Sequence, residues 1–336
     1  MILNLMLGKG PGGLEQAALD YGEALALASI PALTVVSPHA WLEAPLVAAH
    51  VAHQSLTNYR FDPVAPLRLR HIATKIGARA VLCHGNRALA LALRAVKGQV
   101  PILAVAHNYS IRRFVHADHC IAITQHLADY LSEHGVGSVS LIPNMVRTHD
   151  VADRQAFRTP PVIGSMGRFV PKKGFRNFIE ALSILRQRGI AFRAILGGDG
   201  KTSARIDALI DRYQLGGQVT RLGWVKDKAA FFESLDVFVL PSSHEPFGIV
   251  LTEAMSYALP IVSTNAEGPR EIIAHGVNGL LVTRNDPVAM ADSLAMLLHD
   301  PARATAMGTA AQQRVRDAYS MQAMAHRLQT TLAPYI

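Results

Sequence analysis

Short apolar runs alternate with alanine- and leucine-rich helical stretches along almost the whole of this 336-residue chain. Strand-like runs begin at Met1, Leu33, Arg79, Pro101, Asp118 and Ser138, the first ending at Leu7. Between them lie helical patterns at Leu14–Ala28, Trp41–Ala49, Pro66–Ile76, Asn86–Val96 and His126–His134. In the first of these, Leu14, Ala17, Ala18, Tyr21 and Leu25 recur at helical spacing. Wholly apolar strands separated by helices require parallel pairing with both sheet faces covered, so the fold class is α/β. The ligands of such sheets bind outside the carboxyl ends of the strands.

The alternation dissolves over Asn144–Pro161, a polar, proline-ended segment with no apolar period, which reads as a linker. It resumes with VIGSMGRF from Val162 and runs through further strand and helix patterns to a strand at Asp236–Leu240 and another at Pro260–Ser263. NGLLVTRND gives one more strand, and helical patterns close the chain. The expected division is one α/β domain over 1–150, a second α/β domain over 151–318, and a helix over 319–336 that returns to the first. A ligand cleft is expected between the two α/β halves.

Half of the residues are hydrophobic and only 17% charged, which excludes wholesale disorder. The net charge of +8 favours anionic partners. Arg60, Arg68, Arg70, Lys75, Arg79, Arg87, Arg94, Lys97, Arg112 and Arg113 share their window with Asp62 alone among acids. Aromatic residues are few and not interleaved with these cations, so nucleic acid is not the expected partner. Cys83 and Cys120 fall in strand-like runs and read as buried thiols in a reducing compartment. The 15 histidines show no metal-ligand spacing. The opening MILNLMLGKG is too short for a signal sequence, and no run reaches the ~18 apolar residues of a membrane span, so a cytoplasmic location is expected.

HEPFGIVLTEAMSYALPIVST, His244–Thr264, is the most informative stretch. Glu245 and Glu253 lie eight positions apart, across a loop and a helix starting near Pro246–Gly248. Eight helical residues rise about 12 Å, whereas a retaining glycosidase needs its carboxyls roughly 5–5.5 Å apart. The pair therefore suits two different parts of one extended ligand, although spacing alone leaves an N-cap glutamate and a solvent-facing one equally open. Near the start, GKGPGG leads from strand to helix, and Gly12 and Gly13 allow close backbone approach to an anion. Neither GxGxxG nor a Walker lysine is present. His84 and His107 follow strands directly, where a side chain points into the ligand crevice.

GRFVPKKGF, ILGGDG, RLGW, LPSSHEPFGIVLTEAMSYALPIVST, EGPREII and NGLLV occur in one order. Together they resemble the C-terminal domain of family 4 of the retaining glycosyltransferases, the glycosyl-group-1 transferases of GT-B fold. PGGLEQAALDYGEAL resembles that family's N-terminal glycine turn, and AHN after a strand resembles the position of its active-site histidine. Met145, Val146 and Arg147 stand where the family usually has a small residue and an acid, and ITQ replaces a serine-containing turn.

The resemblance implies two Rossmann-like domains facing each other across a deep cleft, with the nucleotide-sugar in the C-terminal one. Glu253 would then receive the ribose hydroxyls and Glu245 those of the donor sugar. Backbone N–H groups around Phe247, Gly248 and Ile249 would hold sugar and phosphate. Arg168, beside Gly167, and Lys173 would clamp the diphosphate, with Lys172 an alternative to Lys173. Gly12 and Gly13 would close on the distal phosphate, and His107 would approach the reaction centre. Gly197, Gly198 and Gly200 would have at most a helper role. His107, Glu245, Arg168 and Lys173 are thus the expected catalytic set, with no metal and no cofactor.

The implied activity is retaining hexosyl transfer from a nucleoside-diphosphate sugar, UDP favoured, to a glycan or glycolipid acceptor of the cell envelope, such as lipopolysaccharide. A nucleotide-sugar epimerase of the same fold and a non-catalytic nucleotide-sugar-binding subunit are the alternatives. The basic cluster between Arg60 and Arg113 leads us to expect peripheral docking on the cytoplasmic face of an anionic membrane. Cosedimentation with anionic vesicles at low salt, where screening is weakest, checks this, and unbound protein there would refute it.

Overall fold

The computed structural model describes residues 1–10, 12–57, 62–149 and 156–336. Two compact units divide the chain, Met1–Met145 with Tyr319–Ile336 and Val146–Ala318. The first is built on seven parallel strands, β1 (Ile2–Met6), β2 (Ala32–Val36), β3 (His53–Ser55), β4 (Ala80–His84), β5 (Ile102–Ala106), β6 (His119–Ala122) and β7 (Val139–Leu141). Their order is β3-β2-β1-β4-β5-β6-β7. Helices α1 (Gly13–Leu27), α2 (Glu43–Ala48), α3 (Ala65–Lys75), α4 (Gly85–Ala95) and α5 (Gln125–Glu133) connect them. Every residue of β1, β4 and β5 is buried, as strands covered on both faces must be. Helix α1 lays Ala17, Ala18, Tyr21, Ala24 and Leu25 into the core along one stripe.

Sequence pattern alone does not identify β3. HQS lacks apolar alternation, and its place comes from the parallel register Thr34↔His53 to Val36↔Ser55 at the sheet edge. The helix expected over Trp41–Ala49 begins only at Glu43, and the Trp41 N–H ahead of it is bonded to Lys9 O at 2.9 Å. Thr124 takes the capping role of the expected serine turn, accepting from the Leu127 N–H at the start of α5. Both cysteines are buried and free, and burial pushes the Cys120 thiol up to about 12. Arg60 of the basic cluster lies outside the described residues. Arg68 pairs with Asp62, while Arg70 and Arg87 donate to the carbonyls of Ala95 and Leu7.

The second unit has six parallel strands, β8 (Val162–Met166), β9 (Arg193–Gly197), β10 (Val219–Gly223), β11 (Val237–Leu240), β12 (Ile261–Thr264) and β13 (Leu280–Val282). The order is β10-β9-β8-β11-β12-β13. Helices α6 (Phe175–Gln187), α7 (Ser203–Arg212), α8 (Lys228–Glu233), α9 (Ile249–Ser256), α10 (Pro269–Ile272), α11 (Pro287–His299) and α12 (Pro301–Ala318) accompany them. Phe175, Phe178, Ile179, Leu182 and Leu185 of α6 pack with Met290, Leu294 and Leu297 of α11 in one core. A final helix, α13 (Met321–Leu332), belongs to the first unit, where it packs on α1 and Gln329 donates to Ala28 O at 2.8 Å.

Within the expected linker, residues 150–155 lie outside the described residues. Its C-terminal part is anchored rather than solvated. The Arg158 guanidinium bonds Asp236 at 2.8 Å and the carbonyls of Glu233 and Leu235, while Asp236 also accepts from the Val162 N–H. This arrangement holds the entry of β8 against the entry of β11.

Each sheet reverses direction at one place, between β1 and β4 in the first unit and between β8 and β11 in the second. The loops leaving the two central strands lie at the carboxyl ends beside that reversal, where the ligands of such sheets bind in a crevice. In the second unit one glycine sets how closely these loops meet. Gly174 has φ 68°, and a Cβ on it would lie 1.8 Å from Pro241 O. Gly174→Ala should therefore destabilise the unit by about 3 kcal/mol, measured by denaturant unfolding; a loss below about 0.5 kcal/mol would show that the contact is slack.

Candidate functional site

In the second unit, the crevice is walled by the loop after β8, which carries Gly167 and Arg168, and by the loop after β11, which runs from Pro241 to Gly248. A single 3-10 turn, Pro171–Lys173, leads from the first loop into Gly174 and α6. The two loops are stitched together by the Ser243 N–H, which donates to Lys172 O at 2.8 Å. This separates the two lysines that sequence could not. Lys172 contributes its carbonyl and leaves its side chain exposed. Lys173, one residue on, turns its ammonium group onto the Glu245 carboxylate. Arg168 is exposed at the mouth of the first loop. Gly198, with φ 129°, lies so close beneath Gly167 O that a Cβ would sit 1.9 Å away, so its role is to support that loop.

Glu245 is only 8% exposed. Besides Lys173, its Oε2 accepts from Ser242 Oγ at 3.3 Å. Its backbone is fixed as well, the N–H donating to Glu267 Oε2 at 3.1 Å and the carbonyl accepting from the Gly268 N–H at 2.8 Å. Glu267 in turn holds Arg284 at 2.9 Å and His244 at 3.3 Å. Arg284 also donates to the carbonyls of Ser243 and Asn265. Burial would raise the Glu267 pKa, but N–H bonds from Glu267 and Glu245, with Arg284 and His244, outweigh it and bring the value to about 2.

Gly248 caps α9 in the left-handed region, with φ 99°. Phe247 before it is buried, and Gly268 lies under it with no room for a Cβ, which would meet Phe247 Cα at 2.4 Å. The first bonds of the helix run from the Leu251 and Thr252 N–H groups to Gly248 O. The amides of Gly248 and Ile249 thus precede the helical ladder and bring partial positive charge to the end of β11. On α9, Glu253 places Oε1 2.6 Å from Lys228 Nζ. Burial raises the Glu253 pKa and Lys228 opposes the rise. Each glutamate therefore has a lysine of its own.

In the first unit, Gly12 and Gly13 form the entry to α1, and Pro11 between Gly10 and Gly12 lies outside the described residues. Gly12 is extended, with φ −172°, so its lack of a side chain matters for space. A Cβ there would meet Glu15 Oε2 at 2.7 Å, and one on Gly8 would meet Oε1 at 1.9 Å. The Glu15 carboxylate therefore lies over the turn, beside the amides that an anion was expected to use. His107 follows β5, with its Nε2 buried and without a hydrogen bond. Its ring lies 5.9 Å from that of His84, whose Nε2 meets Asn4 Oδ1 at 2.8 Å. Burial lowers the His107 pKa to about 4 and, with His107 adding to it, takes His84 well below the ordinary value. Both rings are neutral at pH 7.

Sequence reasoning assigned no role to Glu267, Arg284, Ser242 or Lys228. EGPREII marked the neighbourhood of Glu267, but an arginine in a strand-exit loop and a lysine opening a helix carry no pattern of their own. A cavity of about 450 Å³ lined by Ser55, Leu56, Leu67, Arg68 and His71 sits at the β3 edge of the first unit, among none of the site residues above. No group of three or more His, Cys, Asp or Glu side chains suited to a metal ion occurs among the described residues. No helix among them is long and apolar enough to cross a membrane.

The model of the family described as glycosyl transferases group 1 matches residues 146–314. The lipopolysaccharide core biosynthesis glycosyltransferase LpsE of Rhizobium meliloti is 30% identical over 92% of this chain and 94% of its own length. A second protein of that organism, the lipopolysaccharide core biosynthesis glycosyltransferase LpsD, is 30% identical over 61% of this chain and 60% of its own. Among solved structures, Anabaena HepE in complex with UDP and glucose superposes with a TM-score of 0.85 at 22% identity, covering 99% of each chain.

The Glu267 carboxylate brace has a measurable signature. Its folded pKa of about 2 lies below the ordinary glutamate value of 4.5, so its stabilisation is complete above about pH 4.5 and vanishes as pH falls towards 2. Glu267→Gln should cost about 1–3 kcal/mol at pH 7, the solvent-screened worth of its charge-assisted bonds, and flatten the acid limb of the stability curve. An unchanged acid limb in urea unfolding would refute this assignment.

Proposed function

Because the chain belongs to the glycosyl transferases group 1, we propose that it transfers a sugar, with retention of anomeric configuration and without a metal, from a nucleoside-diphosphate sugar to a glycan or glycolipid of the cell envelope. The observation that carries this reading is the Lys173–Glu245 pair, held at the sheet reversal beside the start of α9. A cation, a buried carboxylate and free amides meet there, which suits a phosphate joined to a polyol. UDP is the favoured nucleotide, supported by the ligand of the Anabaena structure, and a lipopolysaccharide-like acceptor is supported by the rhizobial relatives.

In this reading Glu253 accepts hydrogen bonds from the ribose diol. The diphosphate draws Lys173 away from Glu245 and also engages Arg168. Glu245, released from the lysine but still braced through its backbone by Glu267 and Gly268, accepts from sugar hydroxyls. As the bond from the anomeric carbon to the phosphate oxygen breaks, its electron pair leaves with the nucleotide. Lys173, Arg168 and the amides of Phe247, Gly248 and Ile249 stabilise that charge. The acceptor oxygen bonds to the same face of the anomeric carbon and gives its proton to the departing phosphate oxygen. His107, neutral at pH 7, can donate or accept one hydrogen bond to a hydroxyl but contributes no charge.

Product from an α-linked UDP-sugar and a lipopolysaccharide-core acceptor should be α by proton NMR, with turnover in excess EDTA within about twofold of the control. A β product refutes retention, and abolition by EDTA refutes metal independence. Lys173→Ala should weaken UDP by about 10- to 100-fold, the worth of a charge-assisted hydrogen bond, while leaving uridine binding nearly unchanged. Equal losses would remove Lys173 from the phosphate site.

A further inference from the structure

The groups assigned so far leave Lys228 unexplained. It is the first residue of α8, where a cation faces the positive end of the helix dipole. The cap itself is made by Asp227, which accepts from the Ala230 N–H at 3.0 Å. Local helix chemistry thus offers nothing for a lysine here, and a residue that breaks a local rule calls for a partner elsewhere. That partner is Glu253, on a different helix 25 positions away, with Nζ 2.6 Å from Oε1. The Glu253 side chain is only 15% exposed.

We infer that Lys228 is a positioning residue of the nucleotide site: it occupies Oε1 of Glu253 and leaves Oε2 to accept from the vicinal diol of a ribose. The inference rests on the reading of Glu253 as the ribose ligand. The neighbourhood explains why a cation is needed. Tyr257, the residue that caps the end of α9, feels Glu233, Glu253 and Asp227, which add to burial in raising its pKa. His149 stacks on Tyr257 with ring centroids 4.3 Å apart and feels Arg147 and Glu233. Three carboxylates therefore share this region with Lys228 and the more remote Arg147. Without Lys228, Glu253 is a largely desolvated carboxylate among other acids, and its affinity for a proton rises. Once protonated it presents one acceptor fewer to a diol and a donor where none is wanted.

The test is calorimetric UDP affinity between about pH 5 and pH 8 for the native protein, Lys228→Met, Lys228→Arg, Glu253→Gln and the Lys228→Met/Glu253→Gln double variant. The phosphate ionisation of UDP is common to all five and cancels in the comparison. Lys228→Met should move the acid limb up by about one pH unit, so that its loss of affinity grows towards 10-fold as pH falls below that limb. Lys228→Arg should restore the native limb, since guanidinium keeps the charge and reach. Glu253→Gln should bind weakly across the range, and adding Lys228→Met to it should change nothing further. An acid limb in Lys228→Met that coincides with the native one, beside a weak Glu253→Gln, would overturn the role of Lys228 and leave the ribose reading standing. Native affinity in Glu253→Gln would overturn the ribose reading, and the role of Lys228 with it.

Discussion

A carboxylate as buried as that of Glu245 is too costly to leave without a cation beside it. The cation is Lys173, 72 positions earlier in the chain. Its delivery depends on the central strands. Register between β8 and β11 pairs Ile163 with Val237 and Gly164 with Phe238, so the loops at their carboxyl ends emerge side by side. Gly174 then settles against Pro241 O, and Lys172 O takes the Ser243 N–H. With those two contacts made, the ammonium group of Lys173 has one place to go.

The same economy recurs through the site. Glu245 is matched by Lys173, Glu267 by Arg284, and Glu253 by Lys228. Glu267 holds the backbone of Glu245, and so fixes the loop rather than a substrate. On the proposed reading, an arriving diphosphate would not have to attract a lysine out of bulk water, because Lys173 is already ordered and desolvated by another anion. The exchange of one anionic partner for another demands little reorganisation, which is the condition under which fixed charges act most strongly.

How much of this could be read from residues alone varies with the kind of constraint. The alternation of apolar runs and helices located β1, β4 and β5, since strands buried on both faces have no choice but to be apolar. It could not locate β3, whose three residues are set only by pairing with β2. Glu245 and Glu253 were visible through their spacing and setting. Lys173 was preferred with Lys172 as its alternative, because both belong to one short turn; their different contacts, Lys172 O with Ser243 and Lys173 Nζ with Glu245, come from distant residues that the turn does not announce. Arg158 stood in a segment that read as a free linker, and its partners Asp236 and Glu233 lie more than seventy positions away. Glu267, Arg284 and Lys228 owe their roles to contacts between distant elements, and single residues in loops or at helix starts give no periodic signal for such contacts.

One consequence of the topology concerns the making of the protein rather than its action. The first unit consists of residues 1–145 and 319–336, with the whole of the second unit inserted between them in sequence. Domains ordinarily fold as units in the order in which they leave the ribosome. Here the sheet that emerges first must wait for α13, which arrives after the second unit has been translated, to cover α1. The older part of the nascent chain is the later one to be completed, and until then the α1 surface that α13 will cover is open to water and to other chains.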